Sequence, residues 1–493
     1  MKDRAVAVIG GGMAGLTAAA YLSRAGFSVT VYEQHTAPGG YVSSFRRGGF
    51  TFPAGPTSFG SNGIIFPILE ELGLKDRLRF IEAKHQISWG SHDVMLDTHN
   101  QTERLLAERF PDEKKALRRY FRWVKIGSSA FHDMLESGMM FGQGALKSML
   151  RLGCMHPLFL WAALLACRHT NRSLHDRLFK NPLLKQMLNQ LGYPVMTGKN
   201  TLGMWASYYK DAWVPEGGMQ VLADLLAQNV RDLGGRICLG ERIRKIAAED
   251  GQAKGVELQD GRFIPADWVV SAMDFSRTCL ELIGSNSLPA STKEKLERAR
   301  PSESIFSLLL GMDGSAEISA ALKRFQGSHA FFTCADGKYI QLVLLSKDDP
   351  SAAPEGKHAL FVGMLSPFED WESLKEDRAA YLLRKEEAAE ELIARAEEFL
   401  PGLRAGILIR EAASPLTYER YTGNWKGSTA GWSWNPKEAP HFKFDEDLPL
   451  KRFYPVGHYV HNPGGVPTAM ITSWYVARSI IREAEELDKG DKV

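Results

Sequence analysis

Three glycines near the start of the chain have the spacing of a phosphate-binding turn. Gly10, Gly12 and Gly15 follow a short apolar run and precede an alanine-rich stretch of helical character. In such a turn the first glycine permits the bend, the second lets the backbone approach a pyrophosphate, and the third lets the helix lie close to the sheet. The free amides and the positive end of the helix then face the phosphates. These residues predict a dinucleotide site.

An acidic residue and a second glycine pair sharpen this prediction. Glu33 ends the next apolar run. A carboxylate at that place can accept hydrogen bonds from both ribose hydroxyls and would repel a 2′-phosphate. Gly39 and Gly40 follow shortly afterwards. The combination indicates a site for FAD.

A second glycine-rich turn lies near the other end of the chain. The stretch from Tyr454 to Ala469 has a strand-like run, a turn with Gly457, Gly464 and Gly465, and the start of a helix near Val466. The amides of that helix could face the pyrimidine edge of a flavin ring, where negative charge accumulates on reduction, or the ribityl chain. Either position would complete the cofactor site.

Composition and charge exclude several classes of protein. The chain has 493 residues, 44% of them apolar and 24% charged, which is ordinary for a globular protein with more than one hydrophobic core. A formal net charge of +2 without long basic runs argues against a nucleic-acid partner. The five cysteines form no C-x-x-C pair, which argues against a dithiol flavoenzyme. No apolar stretch reaches the roughly 20 residues of a membrane span, so we expect a cytoplasmic protein.

Changes in pattern along the chain predict that a flavin domain is interrupted twice. Strand and helix signals alternate near both ends and around residues 215–275, where Asp260-Gly261 predicts a hairpin. The expected division is residues 1–75, 215–275 and 406–493 for three parts of the FAD-binding domain, 76–214 for a mostly helical insertion that faces substrate or membrane, and 276–405 for a substrate domain.

Four motifs carry a resemblance to a known family. They are the set Gly10, Gly12, Gly15, Glu33, Gly39 and Gly40, the segment from Gly49 to Thr57, the stretch from Val214 to Met219, and the turn from Pro463 to Pro467. Over nearly its whole length the chain resembles the phytoene desaturase and carotenoid isomerase family, a branch of the flavin amine oxidase superfamily. Members bind FAD and desaturate, saturate or isomerise long isoprenoid polyenes. The resemblance implies an α/β fold with an FAD-binding Rossmann-like domain of the glutathione-reductase-2 type, interleaved with a mixed helical and β-sheet substrate domain.

The resemblance also assigns residues to the cofactor. It places the adenosine half and the pyrophosphate on Glu33, the backbone at Ile243, Gly12, Met13 and Ala14. It places the ribityl and ring region among Gly39, Gly40, Tyr41, Gly457, Gly465 and Val466. Three positions depart from the family's usual pattern. Tyr41 stands where an arginine is common, Pro53 where an acidic residue is common, and the pair Trp474-Tyr475 where small residues are usual.

The histidines of the terminal turn are the first catalytic candidates. His458 and His461 lie three residues apart, but no nearby carboxylate or cysteine completes a ligand set, so we predict no metal site. A histidine beside a flavin could donate a hydrogen bond or a proton, and His461 is the candidate. The alternative is a loop histidine that only satisfies backbone groups.

An aromatic and basic cluster supplies two further candidates. Arg420 and Tyr421, with Trp425 and Trp432 close by in sequence, could face a polyene or a carboxylate-bearing substrate. The segment from Ala412 to Asn424 resembles the family's segment before the last flavin-binding module. Packing between the two domains is the alternative interpretation.

The expected substrate is a hydrophobic small molecule. Such a molecule dissolves in lipid and could enter the protein from a membrane, so we consider a peripheral membrane contact. The apolar run 157–167 is flanked by arginines and histidines and could dip into the inner face of a membrane, or it could be a buried core helix. Two other function classes stay open: a flavin amine oxidase, and a non-catalytic isoprenoid-binding protein. Desaturation, saturation and isomerisation are not separated by these residues, and neither is the electron acceptor.

Overall fold

A five-stranded parallel sheet forms the centre of the computed structural model, which describes residues 4–136, 154, 169–435, 437–440, 448–460 and 464–490. Its strands in spatial order are Phe453–Pro455, Trp268–Ser271, Ala5–Ile9, Ser28–Glu33 and Arg236–Leu239. They come from three distant stretches of the chain. The stretches between them contribute to a second, mixed sheet. The α/β fold class predicted from the sequence is therefore confirmed.

Helices cover this sheet with small and branched apolar side chains. The helix Met13–Arg24 packs against the helices Gln220–Asp232 and Val466–Gly490. Its Ala18, Ala19 and Ala20 are fully buried, which allows the neighbouring helices to approach closely. The helices expected after Gly12 and near Val466 are therefore present, with these bounds.

A charged residue in the next helix, Ile65–Glu71, ties this layer together. Both Tyr21 Oη and Trp474 Nε1 donate to Glu71 Oε2 at 2.9 Å, and Arg478 donates to Oε1 at 2.9 Å. Burial opposes ionisation of Glu71, but these three hydrogen bonds lower the pKa of its carboxyl. Trp474, one of the departures from the family pattern, thus has a structural role in holding the terminal helix.

Three smaller β structures accompany the parallel sheet. The strands Ile243–Glu249, Gln252–Leu258 and Phe263–Pro265 form an antiparallel sheet, which confirms the hairpin predicted at Asp260-Gly261. The strands Ser44–Arg47 and Phe50–Pro53 form a separate pair, and Phe80–Glu82 pairs with Trp213–Pro215.

A seven-stranded sheet builds the second half of the molecule. Its strands in order are Ile407–Ala413, Ile305–Met312, His358–Leu365, Tyr339–Leu344, His329–Thr333, His85–Trp89 and His92–Met95. The expectation of a mostly helical stretch from residue 76 is wrong at its start, because two of its strands join this sheet. The expected third part of the flavin domain likewise begins with a strand, Ile407–Ala413, of this sheet.

Helices fill the remaining space around the two sheets. Arg378–Phe399 packs one side on the seven-stranded sheet, with Leu392 and Ile393 buried. The described residues also contain the α-helices His99–Arg109, Lys114–Glu136, Asn171–Leu178, Pro182–Asn189, Gly198–Lys210, Ala290–Arg298, Ala316–Leu322, Leu345–Asp348, Glu369–Glu372 and Pro415–Thr422, a 3-10 helix at Leu403–Gly406 and a π-helix at Thr278–Gly284. No helix within the described ranges is long and apolar enough to cross a membrane. The apolar run 157–167 lies outside those ranges.

Candidate dinucleotide site and its cavity

A cavity of about 690 Å³ opens along the carboxyl ends of the parallel strands. Ile9, Glu33, Ala272 and Val456 line it, each at the end of one strand or directly after it. Ligands of open parallel sheets bind at this edge, where the strand order lets the connecting loops separate. The cavity is therefore the candidate functional site.

The first glycine turn has the geometry that its spacing predicts. Gly10 has φ +94°, and its amide donates to the Tyr32 carbonyl at 2.8 Å. A β-carbon on Gly15 would lie 1.9 Å from the Gly10 carbonyl oxygen, so the helix can approach the turn only with glycine there. Gly12 precedes the helix in an extended conformation and lines the cavity together with Met13 and Ala14.

Glu33 is held by the backbone on both of its carboxylate oxygens. Its side chain is buried; Oε2 accepts from the Gly11 amide at 2.7 Å and Oε1 from the His35 amide at 2.9 Å. Ile243, whose backbone the resemblance assigns to the adenosine half, lines the same cavity. A carboxylate with remaining lone pairs at a cavity wall suits the two hydroxyls of a ribose.

The second glycine pair packs directly on the first turn. The Gly39 amide donates to the Gly11 carbonyl at 2.8 Å, and a β-carbon on Gly40 would lie 3.3 Å from Gly12 Cα. Gly39 and Gly40 have φ values of +127° and +57°, which side-chain-bearing residues rarely adopt. The two motifs thus form one interlocked backbone unit.

Tyr41 lines the cavity. It stands at the position where the family that the sequence resembles commonly has an arginine. Its ring stacks on Tyr418 with centroids 5.6 Å apart, and burial raises the pKa of the Tyr41 hydroxyl well above its usual range. A β-carbon on Gly55 would lie 2.0 Å from the Tyr41 ring, so Gly55 makes the space for this tyrosine. Tyr41 supplies a neutral aromatic wall instead of a cation.

The terminal helix points its first turn at the same cavity. Gly465 has φ +60° directly before the helix Val466–Gly490, and both Gly465 and Val466 line the cavity. Ser473 Oγ donates to the Ala14 carbonyl at 2.8 Å, which joins the two helices that begin at the site. The Gly457 amide donates to Thr472 Oγ1 at 2.9 Å, which fixes the turn before the helix.

Of the two terminal histidines, the structure places His458 at the cavity. His458 lines it next to Gly457, and burial lowers the pKa of the imidazole to about 4, so the ring is neutral at physiological pH. His461 lies outside the described residues. In the described part of the chain no group of three or more histidine, cysteine or acidic side chains could hold a metal ion. The sequence analysis considered His458 only as a metal ligand, so its position was missed.

Arg420 and Tyr421 lie at the adenosine end of the cavity. His35 Nε2 donates to the Tyr421 carbonyl at 2.7 Å, and the two rings stack 6.3 Å apart at the rim. The Arg420 guanidinium lies over the Tyr421 ring but is exposed and outside the cavity lining. Trp432 is buried in the core, where its Nε1 donates to the Tyr459 carbonyl, as the packing interpretation expects.

The opposite end of the cavity has a lining without carboxylate, histidine, lysine or arginine side chains. It is formed by Tyr193, Met204, Ile305, Gln341, Phe361, Thr429, Ala430 and Trp434. The rings of Tyr193 and Trp434 stack 5.1 Å apart and make an aromatic wall. Sequence analysis missed these residues because they come from the helical region, the seven-stranded sheet and a loop, and they share no local motif.

Comparison with known proteins agrees with this geometry. The family model described as flavin containing amine oxidoreductase matches residues 13–481. Prolycopene isomerase 2, chloroplastic, from an Oncidium hybrid cultivar is 26% identical over 450 residues, covering 85% of this chain and 74% of the relative. The 4,4'-diapophytoene desaturase (4,4'-diapolycopene-forming) of Methylomonas sp. is 26% identical over 494 residues, covering 94% and 92%.

A solved structure supports the fold. An oxidoreductase from Methanosarcina mazei superposes with a TM-score of 0.65 at 16% identity, covering 96% of this chain and all of the other.

A substitution at Gly12 tests whether the first glycine turn binds a dinucleotide. Its φ of −76° suits alanine, and the nearest atom to an added β-carbon is Gly40 Cα at 4.0 Å, so Gly12→Ala should fold with an unchanged melting temperature. Its methyl group would meet a bound dinucleotide, and we expect affinity for it to fall about tenfold or more, or ~1.4 kcal/mol. Gly15→Ala is the contrasting variant, because its β-carbon clashes with protein and should lower the melting temperature as well. Full affinity in Gly12→Ala would contradict this assignment.

Proposed function

The chain belongs to the family of flavin containing amine oxidoreductases, and we propose that it is an FAD-dependent enzyme of long, apolar polyene substrates. The observation that carries the proposal is the cavity itself, which joins a dinucleotide cradle at Glu33 to a lining without charge around Tyr193 and Trp434. The relatives named as an isomerase and a desaturase support the substrate class. They do not favour an amine oxidase or a non-catalytic binding protein.

The residues present fit FAD in an extended form. Glu33 would bind the adenosine ribose, the amides from Gly12 to Ala14 would bind the pyrophosphate, and Tyr41 and Val466 would flank the ring. The buried carboxylate with free lone pairs and the open space at the Gly12 α-carbon are the features that such a ligand requires. When bound, the flavin supplies a two-electron acceptor or donor that exchanges a hydride with carbon.

The chain's own residues would position the substrate and stabilise charge. The aromatic wall of Tyr193 and Trp434 holds an extended apolar molecule and excludes water. The amides at the start of the helix Val466–Gly490 favour negative charge on the ring edge beside them. His461 stays a prediction from the sequence. Tyr421 would close the adenosine end, with Arg420 over its ring, and neither would act in the reaction.

Anaerobic mixing tests the substrate class. With the flavin oxidised, a linear polyene should bleach the flavin absorbance as one new double bond forms; isomerisation seen only after the flavin has been reduced would identify the isomerase type instead. Ile305→Trp, which fills the end without charge, should suppress either reaction at least tenfold while the flavin spectrum stays unchanged. Leu408→Trp is the matched control, because Leu408 is 49% exposed. Bleaching by amines alone would overturn the proposal.

We also propose a peripheral contact with an anionic membrane, through the outer face of the helix Lys114–Glu136. Lys114, Lys115, Arg118, Arg119 and Arg122 are exposed on this helix, and its first acidic residue is Asp133. Leu117, Phe121 and Val124 are buried on its other face. The helix packs on Gly198–Lys210, which carries Met204 to the cavity, so the cationic face lies one helix away from the substrate end.

Vesicle sedimentation tests this contact. Each lysine or arginine near an anionic surface contributes about 1 kcal/mol to binding. We therefore expect the charge-reversing double variant Arg118→Glu/Arg122→Glu to lose most of its binding to phosphatidylserine-containing vesicles at low salt. The control Lys323→Glu/Lys357→Glu reverses two exposed lysines elsewhere and should bind like the natural protein. Failure of the natural protein to sediment with these vesicles at low salt would contradict the contact.

A further inference from the structure

A line of hydrogen-bonded side chains leads from the cavity wall into the seven-stranded sheet. Thr57 lines the cavity, and its Oγ1 lies 3.2 Å from His329 Nε2. The other ring nitrogen, Nδ1, lies 2.9 Å from Ser328 Oγ. The Ser328 side chain also lies near the carboxyl of Asp348, whose pKa it lowers. Three side chains thus connect the cavity to a fourth, the half-buried acid Asp348.

His329, at the centre of this line, can transfer a proton while its imidazole stays neutral. His329 is fully buried, and burial together with the neighbouring His85 lowers the pKa of its imidazole well below the usual range. The rings of His85 and His329 lie 4.7 Å apart on adjacent parallel strands. A neutral imidazole donates through one nitrogen and accepts through the other, and both nitrogens of His329 face hydroxyl groups.

The acid at the far end is suited to exchanging protons near neutral pH. Burial, with a smaller contribution from the charge of Asp349, raises the pKa of Asp348 to about 6, against the opposing effects of Ser328 and the charge of Lys347. Lys347 itself donates to the Phe325 and Gln326 carbonyls, so its ammonium is held beside this site. A group with such a pKa can both accept and release a proton under physiological conditions.

We propose that Thr57, His329, Ser328 and Asp348 form a proton relay between the substrate cavity and the outside of the protein. The inference rests on the proposed function. Taking two hydrogens from neighbouring carbons gives a hydride, for which the flavin is the acceptor, and a proton, which needs an acceptor of its own. No carboxylate, histidine or lysine is among the lining residues around Tyr193 and Trp434, and the relay supplies a path for this proton.

The transfers balance in charge and in protons. As the substrate's C–H bond breaks, its proton moves to Thr57 Oγ1, and the threonine's own proton moves to His329 Nε2. The proton on Nδ1 moves to Ser328 Oγ, and the serine's proton moves to the Asp348 carboxylate. Asp348 then loses this proton to solvent. Each hydroxyl and the ring again hold one proton, and their reorientation restores the starting directions of the hydrogen bonds. Running in the opposite direction, the same chain delivers a proton for saturation.

Variants at the cavity end of the relay test its part in the reaction. Thr57→Val keeps the shape but removes the hydroxyl, and we expect it to slow flavin reduction by a polyene at least tenfold and to abolish the solvent deuterium isotope effect. Thr57→Ser restores the hydroxyl and should recover both. Wild-type rates in Thr57→Val would overturn the relay. If even the natural protein is not reduced by polyenes, the proposed function fails instead, and the next measurement still decides on the relay.

Nitrogen-15 NMR of the histidine rings tests the relay without substrate. In protein labelled at histidine, the His329 ring signals, assigned by their loss in His329→Gln, should move as the pH passes about 6, because Asp348 titrates at the other end of the hydrogen bonds. Asp348→Asn should abolish that movement. Asp336→Asn, which changes an exposed acid paired with Arg395, should leave it intact. His329 signals that stay constant from pH 5 to 8 in the natural protein would overturn the relay.

Discussion

The hydrogen bond from the Gly39 amide to the Gly11 carbonyl is the contact on which the rest of the site depends. It joins the two glycine motifs. On the other side of Gly11, the Gly11 amide donates a hydrogen bond to the Glu33 carboxylate. A side chain on Gly40 would press against Gly12. The loop shape that exposes amides to a pyrophosphate is therefore enforced by backbone contacts, which only residues without a β-carbon can make.

The remainder of the molecule is arranged around that unit. The terminal helix is attached through Ser473 to the Ala14 carbonyl, so its first turn lies beside the first helix's first turn. Tyr41, directly after the second glycine pair, needs Gly55 for space and Tyr418 as a stacking partner. These contacts tie the flavin cradle to the seven-stranded sheet, because Tyr418 Oη also bonds to Ser307 Oγ at 2.6 Å. The cradle is thus attached to the sheet whose Ile305, Gln341 and Phe361 line the substrate end.

How much the sequence revealed depended on how local each feature is. Gly10, Glu33 and Val466 lie in short patterns whose spacing alone determines a turn, a strand end or a helix start, and the structure has each in its place. His85 belongs to a strand that pairs with His329, far away along the chain, and no local pattern encodes such a pairing. Tyr193 and Phe361 line the same cavity only in the folded protein. The spacing of residues in the sequence therefore could not reveal the uncharged end of the cavity. The sequence likewise did not indicate that His458 lines the cavity, because a turn's sequence does not say which side chain faces inward.

The structure of the protein crystallised with its flavin would test this account most directly. The account predicts an extended dinucleotide with its adenosine ribose within hydrogen-bond distance of Glu33, its pyrophosphate at the Gly12 amide, and its ring between Tyr41 and the start of the helix Val466–Gly490. A dinucleotide bound in the opposite direction, or a pyrophosphate away from Gly12, would contradict it.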